Sequence, residues 1–460
     1  MILLDITVVN VALPRIQANL DFSPSGLTWV VNGYVLAAGG LLLLGGRLAD
    51  VYGRRRLLLT GIALFAVSSA VSGAAVDRTM MVIGRFGQGA AEALAAPASL
   101  GLIALMFSDP AERTKALGIW GGLAAIGGTL GYVLSGVLTG LGSWRWIFFV
   151  NIPVAAVVLA VLPRLVRENR MIRADDERLD APGAATATLG LVAVVYGLLN
   201  AADHDWASRS VAVPLAGGAL LLALTVFIEH RTRTPLIPLT FFANRTRSVI
   251  NATSLLFMAA FISYTFMLTL FEQDILDYSP LISGLSWLPL GFSIGAGIGA
   301  GTALTPRLGV RTIATAGFCG AGLGLLVTAA LIDTSAHYLT GVLPGMVVFG
   351  LCAGATMPAA TNAALHGVTG QDAGLASGVQ STMQQIGGAL GLAVLVPLAV
   401  RHAHHLIAHG EAARTAVTAG YITAFRVSAA LMILGGLVVL ALFERVDPVL
   451  RDPAVEAANT

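Results

Sequence analysis

The sequence predicts an all-α integral membrane protein in which fourteen transmembrane helices form two six-helix halves with an inserted helix pair between them. Three observations lead to this fold class: the composition, a regular series of long apolar segments, and an internal repeat. Of the 460 residues, 56% are hydrophobic and 11% are charged, and the mean hydropathy is +0.81. About a quarter of the residues in a soluble domain are charged. The composition therefore excludes a soluble enzyme, a nucleic-acid-binding protein and a disordered chain.

Cysteine and lysine usage narrows the class further. Cys319 and Cys352 both lie inside apolar segments and therefore predict no disulfide framework. Lys115 is the single lysine and the formal net charge is +2, so the chain has no polybasic patch that would bind nucleic acid. We expect the lipid bilayer, and no nucleic acid, to surround this chain.

Long apolar segments recur along the whole chain. A helix needs about 20 residues to cross roughly 30 Å of hydrocarbon. The predicted spans are 1–20, 27–48, 57–76, 79–107, 116–141, 146–162, 181–202, 211–228, 248–271, 281–304, 312–332, 338–363, 374–400 and 420–443. The first span carries Asp5 and Arg15 without a basic leader before it, so we expect a retained helix rather than a cleaved signal.

The positions of Lys and Arg predict the orientation, because cytoplasmic loops are enriched in these residues. The larger set lies on one side and comprises Arg54, Arg55, Arg56, Arg113, Lys115, Arg164, Arg167, Arg170, Arg173, Arg178, Arg231, Arg233, Arg245, Arg247, Arg307, Arg311, Arg445 and Arg451. The opposite set comprises only Arg78, Arg145, Arg209, Arg401 and Arg414. Both termini are therefore expected on the cytoplasmic side of the plasma membrane, with an even number of spans.

An internal repeat relates the two ends of the chain. Three short segments recur in similar form about 260 residues later, namely Gly53-Arg54-Arg55 with Gly309-Val310-Arg311, Pro97 with Pro358, and 126–131 with 386–391. Matched copies are eight spans apart, so the two halves are expected to run parallel across the membrane, as in one architecture of secondary transporters. This predicts an N-terminal six-helix half at 1–166, cytoplasmic linkers with inserted helices seven and eight at 167–247, a C-terminal six-helix half at 248–445, and a cytoplasmic tail at 446–460.

Few charged residues fall within the predicted spans. They are Asp5, Arg15, Arg47, Arg85, Glu92 and Arg426. A charge at the bilayer centre costs at least about 2.5–3.5 kcal/mol on insertion scales, so each charge needs a partner, an aqueous cavity or an interfacial position. Arg15, Arg47 and Arg426 lie near span ends, where their side chains can extend to the interface.

The fourth span carries a polar stripe. Arg85, Gln88 and Glu92 share one helix face, which must point into the bundle. The stripe is either a polar clamp between helices or a proton-binding site in which Arg85 tunes Glu92. Asp5 is the second proton-binding candidate, since a carboxyl group buried in an apolar environment favours its protonated form. The alternative for Asp5 is a first-turn residue at the cytoplasmic interface.

Two further groups of polar residues leave alternatives open. Glu272 and Asp274 fall where the ninth span meets the outer surface, as a solvated rim or as a substrate vestibule. His405 and His409 have the spacing of a metal pair on a helix, but they lie in a predicted outer loop with no nearby Cys and no acidic ligand until Glu411. No phosphate-binding loop is present. We expect no metal site and no cofactor.

Four motifs carry a resemblance to a known family. They are LDITVVNVALP at 4–14, GRLADVYGRRR at 46–56, RFGQG at 85–89 and WRWIFFVNIP at 144–153. Together they resemble the major facilitator superfamily, and specifically its fourteen-span drug:proton antiporter branch, over nearly the whole chain. The resemblance implies the major facilitator fold. It also associates the motif at 85–89 with proton coupling, and the first-span aspartate with coupling or cation recognition.

The motif between the second and third spans acts in this family as a latch that controls conformational exchange. The residues that match it here are Gly46, Asp50, Gly53, Arg54 and Arg55. We expect Gly46 to allow close helix contact and Asp50 to meet the positive end of a helix, while the arginines stay cytoplasmic.

The fifth span resembles the antiporter motif of the family with one departure. Its motif glycines are Gly118, Gly127, Gly131 and Gly136, but Tyr132 stands where relatives carry a proline. The stripe of small residues is kept and the proline kink is lost. Relatives also carry more residues before the Leu4-Asp5 pair, so either the start is truncated or the first helix is short, with Asp5 at a shallow position.

These observations predict a proton-driven exporter of amphipathic, cationic or neutral small molecules that works as a monomer by alternating access. Asp5, Glu92 and Arg85 are the predicted proton-coupling residues. The predicted substrate cavity includes Asn10, Gln88, Tyr132 and Gln384. The alternatives are a narrow-specificity exporter of one endogenous metabolite or lipid, and, in a different class, an intramembrane enzyme or sensor.

Overall fold

The computed structural model describes residues 2–107, 109–166, 180–232, 239–364 and 373–443. All regular secondary structure within these ranges is helical, and it forms fourteen long helical segments and a short 3₁₀ helix at Leu239–Ala243. In chain order they are α1 Ile2–Leu20, α2 Pro24–Tyr52, α3 Arg54–Gly73, α4 Arg78–Met106, α5 Pro110–Leu141, α6 Trp146–Leu165, α7 Ala181–Asn200, α8 Arg209–Arg231, α9 Arg245–Ile275, α10 Pro280–Leu308, α11 Val310–Leu331, α12 Tyr338–Ala364, α13 Ala373–Ala408 and α14 Ala413–Leu442.

Eleven of these helices are long and apolar enough to cross a membrane by length and composition. The other three are α1, α4 and α5. Helix α1 carries Asp5 and Arg15, and α4 carries Arg85 and Glu92, which lower the hydropathy of both. The apolar part of α5 is the shorter stretch Gly127–Leu141.

The local sequence explains where several helices begin. Asp77 accepts a hydrogen bond from the Met80 amide (2.8 Å) at the start of α4, and Asn244 accepts one from the Arg247 amide (3.0 Å) at the start of α9. Such caps satisfy amide groups that have no partner within the helix. Gly53, between α2 and α3, and Gly309, between α10 and α11, have φ of 98° and 82°. Glycine adopts this region without steric cost, and the two turns occupy matching places in the repeat.

The packing of helices repeats in the two halves. In the first half α4 packs against α2 and α3, α5 against α1, and α6 against α3. In the second half α12 packs against α10 and α11, α13 against α9, and α14 against α11. Every contact of the first half thus recurs between helices eight positions later, which is the relation that the sequence repeat predicts.

The most extensive contacts between the halves are those of α2 with α13 and of α5 with α10, and α1 also contacts α9 and α10. A Cβ at Gly284 would lie 2.5 Å from the Tyr132 carbonyl oxygen, and one at Gly136 would lie 2.6 Å from the Pro280 carbonyl oxygen. The C-terminal part of α5 therefore packs backbone to backbone on the N-terminal part of α10; we call this region the α5–α10 contact. Toward the opposite end of both helices, a Cβ at Gly127 or at Gly295 would meet no atom within 4 Å.

The inserted helices α7 and α8 form a pair at the side of the bundle. They pack on each other, and α7 also contacts α2 and α13. A Cβ at Gly40 of α2 would lie 2.3 Å from the Thr188 hydroxyl of α7. Only 11% of the most apolar 18-residue stretch of α8 is buried within the protein. Helix α7 thus covers the junction of the halves, and α8 presents an apolar surface.

Several helices extend beyond their predicted ends. Helix α13 continues to Ala408, so His402, His404 and His405 are helical rather than part of a loop. Helix α9 begins at Arg245 rather than at 248. Polar residues in these terminal turns lowered the local hydropathy, so the predicted spans were too short. The helical backbone continues through them.

Candidate functional site

A buried ion pair lies between α1 and α4. Arg85 Nη1 donates to Asp5 Oδ2 at 2.5 Å, and each residue is 1% exposed. Charges in such a place are stable only when they are paired and hydrogen-bonded. Asp5 lies in the first turn of α1, as one alternative expected, but it is buried and ion-paired rather than solvated.

Other helices complete the coordination of the Asp5 carboxylate. Gln88 Nε2 and Asn151 Nδ2 donate to Asp5 Oδ1 at 3.1 Å and 3.0 Å. Gln88 Nε2 also donates to the Ser69 hydroxyl at 2.8 Å. The Asp5 network, defined as Asp5, Arg85, Gln88, Asn151 and Ser69, thus draws on α1, α3, α4 and α6.

Arg85 makes two further hydrogen bonds within the bundle. Its Nε donates to the Val30 carbonyl at 2.6 Å, and Nη1 donates to Gln88 Oε1 at 2.8 Å. The guanidinium lies 4.5 Å from the centroid of the Tyr34 ring, a favourable position for a cation. The direct carboxylate partner of Arg85 is Asp5 rather than Glu92.

Glu92 lies one helical turn beyond Gln88 and faces the second half. It is 7% exposed, and Gln385 Nε2 of α13 approaches Glu92 Oε2 at 3.4 Å. The Tyr34 hydroxyl is buried near Glu92 but makes no hydrogen bond to the described residues in this conformation. No basic side chain in the described part of the chain forms an ion pair with Glu92. Glu92 is therefore a buried acid that joins the halves through a single long hydrogen bond.

The residues predicted to line a substrate cavity lie in different surroundings. Gln88 belongs to the Asp5 network. Gln384 is half-buried, and it is the neighbouring Gln385 that reaches Glu92. The sequence did not distinguish these two glutamines, because only the azimuth of α13 decides which one faces α4.

Tyr132 lies at the junction of the halves. Its ring stacks on Trp287 of α10 with centroids 4.9 Å apart and planes at 17°. The Asn10 and Thr265 side chains lie beside its hydroxyl. Tyr132 thus brings α1, α5, α9 and α10 together.

The latch residues form a compact cluster at the α2–α3 turn. Arg54 donates to Asp50 Oδ1 through Nη2 (3.0 Å) and through Nε (3.3 Å), and its Nη1 donates to the Gly101 carbonyl of α4 at 2.8 Å. Arg55 donates to the Pro163 carbonyl of α6 at 2.9 Å. The two arginines therefore tie the turn to α4 and α6 within the first half.

The expectation that Gly46 allows close helix contact is wrong, because the close approach occurs one residue earlier. A Cβ at Gly45 would lie 1.9 Å from the Ala93 carbonyl oxygen of α4. A Cβ at Gly46 would lie 3.8 Å from Pro97 Cβ, an ordinary contact. Successive residues of α2 point in different directions, so Gly45 meets the α4 backbone and Gly46 does not.

The glycines of α5 serve different purposes. A Cβ at Gly131 would lie 1.9 Å from the Thr7 hydroxyl of α1, and Gly136 packs in the α5–α10 contact. A Cβ at Gly127 would meet no atom of the described residues within 4 Å. Gly118 lies on the same helix.

This arrangement of two similarly packed helical halves with a buried ionic site agrees with comparisons to known proteins. Residues 1–392 match the Major Facilitator Superfamily. The chain belongs to this superfamily. It is accordingly a membrane transporter, and the alternative of an intramembrane enzyme or sensor is set aside.

Similar proteins of known name are resistance and export proteins. The chain is 41% identical to the lincomycin resistance protein of Streptomyces lincolnensis over 404 residues, which are 86% of this chain and 82% of that one. It is 39% identical to the puromycin resistance protein pur8 of Streptomyces alboniger, with coverage of 86% and 78%. It is 38% identical to the cephamycin export protein CmcT of Amycolatopsis lactamdurans, with coverage of 86% and 82%.

Solved structures share the fold at low sequence identity. The xylose transporter XylE from E. coli, in a partially occluded inward-open conformation, is 16% identical with a TM-score of 0.60, and the alignment covers 94% of both chains. A bacterial homologue of the lysosomal transporter Spinster, in an inward-facing conformation, is 15% identical with a TM-score of 0.67 and coverage of 95% and 93%.

One buried acid of this transporter was not among the predicted site residues. Glu272 was expected at a solvated rim or vestibule, but it is 0% exposed. Its carboxylate accepts hydrogen bonds from the hydroxyls of Ser283 and Ser286. The signal in the sequence was Ile275, an apolar residue on the same face one turn later, which shows that the buried face of α9 continues past the acid.

The histidines at the end of α13 form no metal cluster. His405 and His409 are exposed, and their ring centroids lie 4.2 Å apart. Within the described residues, no group of three His, Cys, Asp or Glu side chains is placed to hold a metal ion.

Proposed function

We propose that this transporter exports amphipathic small molecules, antibiotics among them, in exchange for protons that flow inward. The observation that carries the proposal is the pair of buried acids in the first half, Asp5 within its network and Glu92 facing α13. Acidic side chains inside membrane-spanning helices are costly and mark ion or substrate pathways. The resistance and export proteins described above support the class of substrate.

In this proposal Asp5 and Glu92 have different roles. The Asp5 carboxylate is stable while Arg85 faces it, so a proton that binds Asp5 weakens the pair and frees the guanidinium. Glu92 lies where the halves meet, so its charge depends on how α4 and α13 approach each other. Proton binding and substrate binding therefore compete, and each favours a different arrangement of the halves.

The proposed topology completes this picture. All fourteen helices cross the cell membrane as two six-helix halves with α7 and α8 inserted, and both termini are cytoplasmic. The transporter works as a monomer without a cofactor. The cargo contacts Asn10, Tyr132 and Gln384, and Gln88 connects it to Asp5. Apolar and aromatic walls recognise shape rather than one fixed set of donors.

The test uses purified protein in liposomes with an imposed pH gradient, with ethidium and puromycin as probes. Asp5→Asn and Glu92→Gln are each expected to lower gradient-driven transport at least about tenfold, since one proton moved across 100 mV supplies roughly 2.3 kcal/mol. Asp21→Asn is the matched control, because Asp21 pairs with Arg78 at the surface. If both buried-acid variants keep wild-type gradient-driven transport, the assignment of the proton sites is wrong.

A second candidate is an exporter of one endogenous metabolite. The names of the three relatives favour it, because each refers to a single antibiotic or antibiotic class. Competition by a panel of chemically unrelated cations and neutral amphiphiles separates the two. Broad competition at similar concentrations supports multidrug export, and inhibition by one chemical class supports the narrow exporter.

A further inference from the structure

Another buried acid lies in the second half, outside the site described above. Glu272 is in the last turn of α9 and is completely enclosed. Glu272 Oε2 accepts from the Ser283 hydroxyl at 2.8 Å, and both carboxylate oxygens lie 2.8 Å from the Ser286 hydroxyl. Both serines belong to the first two turns of α10.

The charged groups around Glu272 leave it without a cation. Asp274 and Asp277 follow it on the chain and are exposed. Arg414 of α14 is the basic residue that approaches this region, and it donates to Asp277 Oδ2 at 2.7 Å and to the Ile275 carbonyl. No basic side chain among the described residues forms an ion pair with Glu272.

The other titratable groups that face Glu272 are phenols. Four tyrosines lie within electrostatic reach, namely Tyr132 of α5, Tyr264 of α9, Tyr278 of the α9–α10 connection and Tyr338 of α12. The Tyr338 hydroxyl donates to the Ser286 carbonyl at 2.6 Å. Glu272 is thus surrounded by hydroxyl groups, which stabilise a buried carboxylate less than a cation does.

The residues adjacent to this site join the two halves. Gln273, next to Glu272, donates through Nε2 to the Val11 carbonyl of α1 at 2.8 Å. Gly284, next to Ser283, packs against the backbone of Tyr132. A movement that separates α5 from α10 therefore removes Tyr132 and the Val11 contact from this region and admits water beside the carboxyl group.

We propose that Glu272 is a proton-binding site that couples protonation to formation of the α5–α10 contact. A protonated carboxyl group fits the dry, uncharged enclosure, whereas the ionised group favours the hydrated state in which the halves separate. The proton that Glu272 binds comes from water at the α5–α10 end, and it returns there when the contact opens. This inference rests on the proposed proton coupling and adds a gate to it.

The experiment measures the opening of this end directly, without drug. Full-length protein in nanodiscs, with Cys319 and Cys352 replaced by alanine, carries spin labels at Leu141→Cys and Ala412→Cys, one in each half. Pulsed electron resonance gives the distance distribution from about pH 5.5 to about pH 9, the range in which a buried carboxyl group titrates. In the wild type, the separated population is expected to grow as the pH rises.

Three substitutions decide the assignment. Glu272→Gln, which mimics the protonated form, is expected to reduce the pH-dependent change in the separated population at least about twofold, and the response that remains belongs to Asp5 and Glu92. Glu272→Asp keeps a titratable group and is expected to retain a pH response. Asp333→Asn removes an equal charge from the exposed connection between α11 and α12 and is expected to behave as the wild type.

The proposal is overturned if the wild type shows no pH response, or if Glu272→Gln responds as the wild type does. It is also overturned if Na⁺ at constant pH closes the wild type, because the carboxylate and serine oxygens would then form a cation site. Ethidium transport under a pH gradient, measured on the same wild-type preparation, keeps the two hypotheses apart. Failure of gradient-driven transport refutes the proposed antiport, whereas an unchanged Glu272→Gln response refutes only the gate.

Discussion

At the residue scale, the Asp5–Arg85 pair is the most consequential interaction of the first half. Both groups are enclosed, and the removal of one partner leaves an uncompensated charge in an apolar environment. Arg85→Gln is therefore expected to lower the free energy of unfolding by roughly 3–5 kcal/mol. Adding Asp5→Asn removes the orphaned charge and is expected to restore most of this loss. Thermal unfolding of detergent-solubilised protein measures both variants.

The exposed pair Arg78–Asp21 provides the control. Its side chains are largely in solvent, with a distance of 2.9 Å, and such pairs contribute about 0–1 kcal/mol. Arg78→Gln is expected to unfold close to the wild-type temperature. A double variant as unstable as Arg85→Gln would show that the loss comes from the shape of the arginine side chain and not from the buried charge.

At the scale of elements, the crossing of α2 and α4 depends on glycines, Gly45 of α2 and Gly89 of α4. Gly45→Ala places a methyl group 1.9 Å from the Ala93 carbonyl oxygen, so the two helices must move apart. We expect Gly45→Ala to lose most transport activity and to unfold at a lower temperature, because backbone contacts between membrane helices require small residues. Gly46→Ala adds the same methyl group where it fits, 3.8 Å from Pro97 Cβ, and is expected to transport normally. Equal loss in both variants would contradict this account.

The latch at the α2–α3 turn is predicted to set a rate rather than an affinity. Asp50 binds Arg54, which in turn holds the Gly101 carbonyl, and all these contacts lie within the first half. Asp50→Asn is expected to lower the transport rate several-fold, about one order of magnitude at most, while the equilibrium binding of ethidium changes little. Fluorescence titration and initial transport rates measure the two quantities separately. A large loss of affinity would assign Asp50 to the binding site, and Asp21→Asn controls for the loss of an acidic group in an ion pair.

At the scale of the whole molecule, the sequence predicted the helices better than their contacts. Apolar length and the repeat indicated an all-helical membrane protein with duplicated halves, because both can be recognised from short segments of the sequence alone. The partner of Arg85 could not be derived in this way, since Asp5 lies 80 residues away and the azimuth of α1 is set by packing. For the same reason, the sequence did not show that Gly45 rather than Gly46 meets α4, or that Gln385 rather than Gln384 reaches Glu92. Glu272 was missed because its acidic neighbours made a buried turn resemble a solvated end.

The α5–α10 contact offers a direct test of alternating movement between the halves. A Cβ at Gly140 would lie 3.7 Å from Leu281 Cβ, within the range of about 3.5–4.5 Å that a disulfide requires. The pair Gly140→Cys and Leu281→Cys, with Cys319 and Cys352 replaced by alanine, is expected to form a disulfide under oxidation. Transport of ethidium should then fall at least about tenfold, because a locked state cannot exchange with the other. Dithiothreitol should restore it.

The control places the same bond inside one half. A Cβ at Gly388 of α13 would lie 3.6 Å from Ile262 Cβ of α9, so Gly388→Cys with Ile262→Cys suits a disulfide equally well. Because α9 and α13 both belong to the second half, they move together when the halves rock. After oxidation of this pair, transport is expected to stay near the rate measured before the disulfide forms. If the α5–α10 disulfide also leaves transport intact, that contact persists through the cycle and the halves must separate elsewhere.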